Sequence, residues 1–320
     1  MSQYKSIKDL KLDKDYGIFD FMGKIPVFSG LLFVLTILAL GVIFIKGFNY
    51  GIDFSGGAEV QVKFEKDVPV SDLRNLTEEL GFRSASVQSF GYENEYLIRT
   101  QAEAEGTDEE INTAATATTK ALADGIVTRF KEFSPDIRRV DTVGPQVGTE
   151  LKRNGLLSVF YSLILILIYI ALRFDYKYAP ASVIGLLNDA IITMGIYAAL
   201  GTELNIQTLA AILTVIGYSL NDTIINFDRI RENIPAFKGK PLALVINRSL
   251  NDVISRTMLT SLTTLMAIIT LYYIAGGVIK DLAFTLGVGV IVGTFSTLYV
   301  AAPLVIWADK IQDRLEKAGA

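Results

Sequence analysis

Residues 205–233 read NIQTLAAILTVIGYSLNDTIINFDRIREN. The stretch begins as an apolar segment of membrane-spanning length, and Asn221 and Asp222 lie just before it gives way to a run of charges. A carboxylate inside a bilayer costs roughly 2.5–3.5 kcal/mol on insertion scales, so an intramembrane Asp is by default a candidate functional residue. The sequence therefore predicts a membrane-spanning helix that carries a functional charge.

The composition of the 320-residue chain narrows the possible chemistry. Hydrophobic residues make up 51% of it and are concentrated in long runs, which is typical of an integral membrane protein. The absence of Cys and His excludes disulfides, thiolate chemistry, histidine metal sites and Ser-His-Asp triads. No phosphate-binding G-x-x-x-x-G-K-S/T loop occurs, and a net charge of −4 does not suggest a nucleic-acid partner. We therefore expect no cofactor, no metal and no enzymatic activity.

Six apolar segments predict six spanning helices, since about 20 residues at 1.5 Å each cross the ~30 Å hydrocarbon core. They are Phe28–Ile45, Gly155–Leu172, Ala179–Leu200, Ile206–Phe227, Val253–Ile274 and Leu282–Trp307. No A-x-A-like cleavage site follows the first segment, so we expect an uncleaved helix there. The predicted organisation is a polar tail at 1–27, a first helix at 28–45, a soluble domain at 46–154, five helices within 155–308 and a tail at 309–320.

The distribution of Lys and Arg predicts how these helices are oriented. Five lie in residues 1–27, two in 173–178, five in 228–252 and three in 309–320, against none in 201–205 and one in 275–281. Because positively charged loops stay on the cytoplasmic side, both termini are predicted to be cytoplasmic and residues 46–154 to lie outside. Within the cytoplasmic connection, Ala243–Leu250 is expected to form an amphipathic helix.

Residues 46–154 are numerous enough for one small soluble domain, and their pattern predicts mixed α and β structure. The expected elements are a strand at Glu59–Phe64, a helix at Ser71–Leu80, strands at Ser84–Phe90 and Tyr96–Thr100, a helix at Thr107–Phe130 and a strand at Ile137–Val143. This βαββαβ order is that of the ferredoxin-like fold. The predicted fold class is therefore a six-helix membrane protein with one α+β ferredoxin-like domain between helices one and two.

Glycine and proline mark two further places. Gly144, Pro145 and Gly148 are expected to break regular structure just before the chain enters the membrane again, either as a plain loop or as a hinge that transmits motion. In the sixth segment, Gly289 and Gly293 have the small-xxx-small spacing that lets helices approach closely, although such glycines are common in membrane helices.

Three ionisable residues fall inside the predicted spans: Asp189, Asp222 and Arg256. At 1.5 Å per residue, Asp189 lies about 15 Å into the third span, near the midplane. Asp222 ends one span and Arg256 begins the next, so both lie near the cytoplasmic end at a depth where they could pair.

Helical periodicity predicts polar faces around this pair. One face of the fourth span carries Ser219, Asp222, Thr223 and Asn226, and one face of the fifth carries Asp252, Arg256, Thr260 and Thr263. We expect the two faces to point at each other or at a watery cavity, because lipid contact would be unfavourable for them.

An Asp–Arg pair in this setting allows proton exchange. Burial favours the protonated carboxyl and a nearby guanidinium favours the carboxylate, so movement of Arg256 would switch Asp222 between holding and releasing a proton. The same residues also allow a static salt bridge between helices, or the binding of an ion or substrate. Asn221 and Asp189 are candidate members of the pathway, and Asp189 alternatively makes only a polar contact.

The charge run Asp228–Asn233 (DRIREN) lies at the cytoplasmic membrane boundary. It is either a solvated face that fixes the topology or a specific docking surface.

Four stretches occur in an order that matches a known family. They are Gly51–Gly57 (GIDFSGG), Val143–Leu151 (VGPQVGTEL), Gly217–Thr223 (GYSLNDT) and Asp228–Asn233 (DRIREN). Together with Arg256-Thr257 and Thr260-Ser261 they resemble the signatures of the SecF family, the smaller subunit of the SecD–SecF complex of bacterial protein export, in the resistance-nodulation-division superfamily. The resemblance covers the chain from the first span to the sixth.

The resemblance implies a multi-pass protein of the bacterial inner membrane that pairs with a six-span SecD partner. Such a complex is thought to use the proton-motive force to pull or release preproteins on the outer side of the SecYEG channel. Family members carry functional residues at the positions of Asp222 and Arg256, and a further Asp of the relay belongs to SecD. Many relatives have His-Asp where this chain has Asn188-Asp189, so the resemblance does not extend proton handling to position 188.

Two other functions compete with energy coupling. Half of a small-molecule proton antiporter of the same superfamily is disfavoured, because those pumps carry larger soluble insertions and two six-span units per chain. A structural scaffold subunit without proton conduction is opposed only by the intramembrane Asp222 and Arg256.

Overall fold

The structure is a computed structural model that describes residue 13 and residues 15–82, 85–89, 94–100, 108–174, 178–275 and 277–319. Within these residues, six helices are long and apolar enough to cross a membrane. The predicted number of spans is therefore confirmed, and the chain is a mostly helical, multi-pass membrane protein. The predicted element ends at Ser84, Phe90 and Thr107, and tail residues 1–12 and 14, lie outside the described residues.

The helices and strands are numbered in chain order. The helices are α1 (Ile25–Lys46), α2 (Ile52–Ser55), α3 (Val70–Glu79), α4 (Asp108–Arg129), α5 (Pro145–Arg173), α6 (Tyr178–Leu200), α7 (Ile206–Ala236), α8 (Leu242–Ile274), α9 (Gly277–Ser296) and α10 (Ala302–Gly319). The strands are β1 (Asn49–Tyr50), β2 (Gly57–Lys63), β3 (Ser86–Ser89), β4 (Glu95–Thr100), β5 (Asp136–Val143) and β6 (Glu203–Leu204). The spanning helices are α1, α5, α6, α7, α8 and the continuous run of α9 and α10.

The helices α6, α7 and α9 form the centre of the bundle, with α1 packed on α6 and α8 packed on α7 and α9. Glycines allow these close contacts. A Cβ atom on Gly289 would overlap the side chain of Val215 in α7, and one on Gly293 would lie 3.1 Å from Cβ of Ser219. Because lipid is as apolar as the helix surfaces, association in a membrane depends on such packing. Gly289 and Gly293 therefore have the packing role that their spacing suggested.

The fifth spanning helix is longer than predicted. Residues 243–250, expected as an amphipathic helix, are helical, but they are the first turns of α8, which runs unbroken from Leu242 to Ile274. The expected start of this helix at Val253 was wrong, because Pro241 is the last residue able to stop a helix before the span. Leu244, Ile246 and Leu250 are all fully buried, so this part of α8 belongs to the core.

Part of the expected polar tail packs against this extension of α8. Asn247 is fully buried; its Oδ1 accepts hydrogen bonds from the amides of Phe21 (2.9 Å) and Met22 (3.1 Å). Its Nδ2 donates to the carbonyl oxygen of Tyr16 at 2.6 Å. Asn251 of α8 also bonds to the amide and the carbonyl of Phe19. Residues 16–22 are therefore held against α8 by two asparagines, which satisfy backbone groups that regular structure leaves open.

The sixth span contains a π-helical turn at Thr297–Ala301, between α9 and α10. Pro303 has no backbone N–H, so the carbonyl of Tyr299 cannot receive the usual bond from four residues ahead. The hydroxyl of Ser29 in α1 donates to that carbonyl instead. Turns of this kind inside α-helices are frequent at functional sites.

The segment between α1 and α5 folds around a four-stranded antiparallel sheet of order β3-β4-β2-β5. Its elements follow the chain order β2, α3, β3, β4, α4, β5. Val60 and Ile98 from the sheet, Leu73 from α3 and Leu122 and Ile126 from α4 are all fully buried in one apolar cluster. The two helices and the sheet therefore share a core that is separate from the membrane bundle.

The variant Gly289→Ala tests the close approach of α9 to α7. The added methyl group would overlap Val215, so we expect a loss of roughly 1–3 kcal/mol in the free energy of unfolding, as for overpacked cores. Thermal unfolding in detergent measures it. Gly41→Ala is the matched control, because a Cβ atom there meets nothing within 4 Å. Equal melting temperatures for the two variants would contradict the proposed packing.

Candidate functional site

Asp189 lies where the third, fourth and sixth spans meet. Its side chain is completely buried, and its Oδ2 accepts a hydrogen bond from the hydroxyl of Ser219 in α7 at 2.6 Å. A Cβ atom on Gly293 of α9 would lie 3.6 Å from the same carboxylate oxygen. The glycine thus lets α9 approach a buried carboxylate that α7 already contacts.

Asp222 lies one turn further along α7 than Ser219, and it too is buried, at 3% exposed. Its Oδ2 finds no hydrogen-bond partner in the described part of the chain. Beside it, Thr223 Oγ1 lies 3.2 Å from Thr297 Oγ1 in the π-helical turn. Asn226 follows on the same face and is fully buried. The polar face predicted for the fourth span therefore points into the bundle, as its composition suggested.

Arg256 has a different position from the one expected. Its side chain is exposed on α8, and no ion pair links it to Asp222 among the described residues. Its charge nevertheless lies within electrostatic range of that carboxylate. The expectation that the two polar faces point at each other is therefore wrong for Arg256.

The reason is the rotation of α8. Its interior side carries Thr257 (1% exposed) and Ser261 (6% exposed), whose hydroxyl lies 2.8 Å from Thr294 Oγ1. Arg256 and Thr260, one residue earlier in each turn, are exposed on the outside of this chain. One residue corresponds to about 100° of rotation, enough to move a polar face from the interior to the surface.

Asn221 also faces outward. Its side chain is exposed, whereas the next residue, Asp222, is buried. The structure therefore does not bring Asn221 together with Asp189 and Asp222 inside the chain.

The expected break at residues 144–148 is confined to Gly144. β5 ends at Val143 and α5 begins at Pro145, so Gly148 already lies in the first helical turn. Proline is favoured at this position because its fixed φ suits a helix start and its missing N–H is not needed there. A Cβ atom on Gly148 would lie 2.9 Å from the backbone nitrogen of Gly56, which itself has a φ of 73° and packs on Pro145. The joint is closely packed.

A second joint connects the soluble domain with the start of α7. Asp53 Oδ2 accepts a hydrogen bond from the amide of Ile206 at 3.0 Å, and Asn205 Oδ1 caps the same helix by accepting from Thr208 N at 2.8 Å. Arg99 in β4 forms ion pairs with Glu59 and Glu203. Sequence reasoning missed this joint, although Asn205 in front of an apolar helix is a recognisable N-cap signal.

The charge run Asp228–Asn233 is partly internal. Asp252 of α8 accepts hydrogen bonds from Arg229 Nε at 2.9 Å and Asn233 Nδ2 at 3.1 Å, and it pairs with Arg248 at 3.0 Å. Neither expected role, a solvated face or a docking surface, describes this run fully, because Arg229 and Asn233 join α7 to α8 at one end of the bundle. Among the described residues, no group of three or more His, Cys, Asp or Glu is placed to hold a metal ion.

These features define a class: a six-helix membrane protein with buried carboxylates in its bundle and a soluble domain joined to the carboxylate-bearing helix. Comparison with known proteins then gives the family. The model of "Protein export membrane protein SecD/SecF, C-terminal" matches residues 124–311, and that of the "SecD/SecF GG Motif" matches residues 41–68. The chain belongs to the SecF family of protein translocase subunits, as the sequence resemblance predicted.

Relatives cover most of the chain. It is similar to SecF of Magnetococcus marinus (42% identical over 91% of this chain and 92% of that one) and to SecF of Calditerrivibrio nitroreducens (38% identical over 95% and 99%). The crystal structure of SecDF from Thermus thermophilus superposes with a TM-score of 0.80 at 38% identity, over 93% of this chain. This chain spans only 40% of that longer SecDF chain.

The variant Asp252→Ala tests the network that joins α7 and α8. It removes the carboxylate that Arg229 and Arg248 share, although Arg229 keeps its pair with Glu232. We expect a loss of about 1–2 kcal/mol in the free energy of unfolding, reduced by partial solvent exposure. Thermal unfolding provides the measurement. Asp136→Ala, which removes an exposed pair with Arg138, is the control and should change little. Identical destabilisation by both variants would show that Asp252 is only a surface charge.

Proposed function

We propose that this protein is an accessory subunit of the Sec protein translocase that couples the proton-motive force to the translocation or release of preproteins on the outer side of the membrane. The observation that carries the proposal is Asp222. Its carboxylate is buried inside a spanning helix, has an oxygen with no hydrogen-bond partner among the described residues, and lies within electrostatic range of Arg256. A carboxylate in such a site can change its protonation state when the guanidinium moves.

The proposed topology places both termini in the cytoplasm and residues 46–154 outside a bacterial inner membrane. The asymmetry of Lys and Arg between the connections supports it. We also propose that the outer domain is of the ferredoxin-like type, which the sheet order β3-β4-β2-β5 with two helices on the sheet supports. On the same grounds we propose the domain boundaries: a first spanning helix at residues 28–45, the outer domain at 46–154 and five spanning helices within 155–308.

The partner we propose is a SecD-like subunit with six spans. The exposed Arg256, Thr260 and Asn221 support this partner, because a charged side chain facing lipid is costly and would be satisfied against a second helix bundle. The SecDF relative of Thermus thermophilus contains a region similar to this chain within a longer one. Arg256 and Asn221 would then belong to a proton pathway at the contact between the two bundles.

The proposed cycle begins with protonation of Asp222, which removes its attraction for Arg256. Asp189, held by Ser219 of the same helix as Asp222, is the second proton-handling group that we propose. The resulting shift of α7 would reach the outer domain through the Asp53 and Arg99 contacts, and the joint at Gly144, Pro145 and Gly148 would act as the hinge. The moving domain would act on a preprotein emerging from SecYEG.

The alternative of a scaffold that only packs against its partner makes an opposite prediction. Asp222→Asn keeps the size and polarity of the side chain but cannot exchange a proton, so a scaffold would keep working. The two functions can therefore be distinguished in membrane vesicles that contain the translocase and the SecD-like partner and across which a proton gradient is imposed.

We expect Asp222→Asn and Arg256→Met each to lower gradient-dependent preprotein translocation by about tenfold or more, a typical effect of losing a proton-transfer group. Assembly with the partner, measured by co-purification, should be unchanged. Asp136→Asn in the soluble domain is the control for substitution of a carboxylate that is exposed. Full translocation by both membrane variants would contradict energy coupling and leave the scaffold.

A further inference from the structure

Several polar side chains in the bundle interior, Asp222 among them, have an atom that lacks a hydrogen-bond partner among the described residues. Each belongs to a residue that is at least nine-tenths buried, and within the described ranges each has an atom without a hydrogen bond. They are Asp189 (Oδ1), Thr193 (Oγ1), Asp222 (Oδ2), Asn226 (Oδ1 and Nδ2) and Thr257 (Oγ1). Native interiors contain few such groups, because each unsatisfied one opposes folding. A cluster of them within a membrane bundle calls for a physical explanation.

Most of these groups form one column. Thr193 lies one turn from Asp189 on α6, Ser219 connects Asp189 to α7, and Asp222 and Asn226 follow Ser219 at successive turns. Since α6 and α7 run in opposite directions, the steps from Thr193 to Asp189 and from Ser219 to Asn226 add up along the bundle axis. At 1.5 Å per residue the column is about 16 Å long, roughly half of the hydrocarbon core.

The column continues towards the end of the bundle that carries the soluble domain. Tyr197 lies one turn beyond Thr193, and its hydroxyl is 3.2 Å from Thr208 Oγ1 near the start of α7. Thr208 Oγ1 in turn donates to Oδ1 of the half-buried cap residue Asn205 at 2.8 Å. At the other end, the fully buried Ile230 separates Asn226 from Asn233 on the same helix. Polar groups therefore line the column up to the end of the bundle that carries the soluble domain, and apolar residues close it at the opposite end.

The helix packed against this column lies close to it at two places. Gly293 presents no side chain to Ser219 and Asp189, and Ser296 also lies close to that carboxylate. The π-helical turn that starts at Thr297 places its hydroxyl against Thr223. The sixth span is thus irregular along the stretch that faces the unsatisfied groups.

We propose that these side chains enclose a file of buried water molecules that carries protons within this chain, from the domain side through Asp189 to Asp222. The inference rests on the proposed proton coupling and adds the route and its lining residues. A buried water makes about three hydrogen bonds, which the unpaired hydroxyl, amide and carboxylate atoms supply. Threonine hydroxyls both donate and accept, so they can orient a hydrogen-bonded file in either direction, and asparagine orients water without exchanging its own protons.

A proton that enters the file on the domain side is passed along its hydrogen bonds: each water accepts one proton and donates another, and the ionised carboxylate of Asp222 takes up the proton at the other end. Atoms and charge balance without any further reactant. Thr193 and Asn226 are positioning residues, since they hold the water and do not take up the proton.

The test uses the complex of this chain with its six-span partner, reconstituted in proteoliposomes and monitored with an internal pH dye under an imposed gradient. The variants are Thr193→Val and Asn226→Leu, which keep the shape and remove the polar atoms. We expect proton flux to fall by about tenfold or more. The melting temperature should stay equal or rise, because an unsatisfied polar group has been removed. A residue with only a structural role would not separate flux from stability in this way.

Two further variants serve as controls for these substitutions. Thr193→Ser keeps the hydroxyl and should retain flux. Thr270→Val is the matched control, because Thr270 is exposed on α8 and its hydroxyl bonds only to the carbonyl of Met266 in its own helix. It should change neither flux nor melting temperature.

The outcomes separate this inference from the function on which it rests. If Asp222→Asn abolishes flux while Thr193→Val and Asn226→Leu do not, the coupling holds and the internal water file is refuted. If Asp222→Asn leaves flux unchanged, the coupling itself fails, and the file with it. A flux that follows a sodium gradient and is indifferent to a pH gradient would overturn the file in favour of a cation site formed by the same oxygens.

Discussion

The structure depends on one unfavourable interaction, the burial of carboxylates inside a membrane bundle. Asp189 and Asp222 are both at most 3% exposed, and Ser219 provides one hydrogen bond to Asp189. A bilayer offers no water of its own to such groups, so hydrogen bonds inside the bundle must satisfy them. Gly293 of α9 and the irregular turn after it serve this arrangement, because they bring the sixth span close to Asp189, Ser219 and Thr223. The residues that pack these helices together are therefore the same residues that surround the buried carboxylates.

The soluble domain is connected to this site through the helix that bears Asp222. Asp53 and Asn205 satisfy amides at the start of α7, and Arg99 reaches from the sheet to Glu203 in the preceding loop. A helix is a stiff element, so a displacement at Asp222 is transmitted to the capped start of α7, which lies about 24 Å away at 1.5 Å per residue. The second connection, between Gly56 and the start of α5, is also closely packed, because a Cβ atom on Gly56 would overlap Pro145. A movement of the domain at the proposed hinge therefore has to shift these contacts.

Sequence reasoning predicted the six spans, the family and the carboxylates, because length, hydropathy and an intramembrane Asp are local properties of the chain. It failed where the answer depends on how one helix is rotated against another. Arg256 lies about 100° from the buried Thr257, and only packing decides which of the two faces inward. The role of Asn247 was missed because its partners Tyr16, Phe21 and Met22 lie more than two hundred positions away. Whether the polar atoms of Thr193 and Asn226 have hydrogen-bond partners likewise depends on the helices around them, which a local sequence pattern does not show.

The central claim is that Asp222 exchanges a proton during the cycle. The most direct measurement is difference infrared spectroscopy of the reconstituted complex during a pH jump, with the carboxyl stretching band of Asp222 assigned by subtraction of the Asp222→Asn variant. The account predicts a protonated-carboxyl band that appears and disappears with pH and is absent in the variant. A carboxylate that stays ionised across the whole pH range of activity would contradict it.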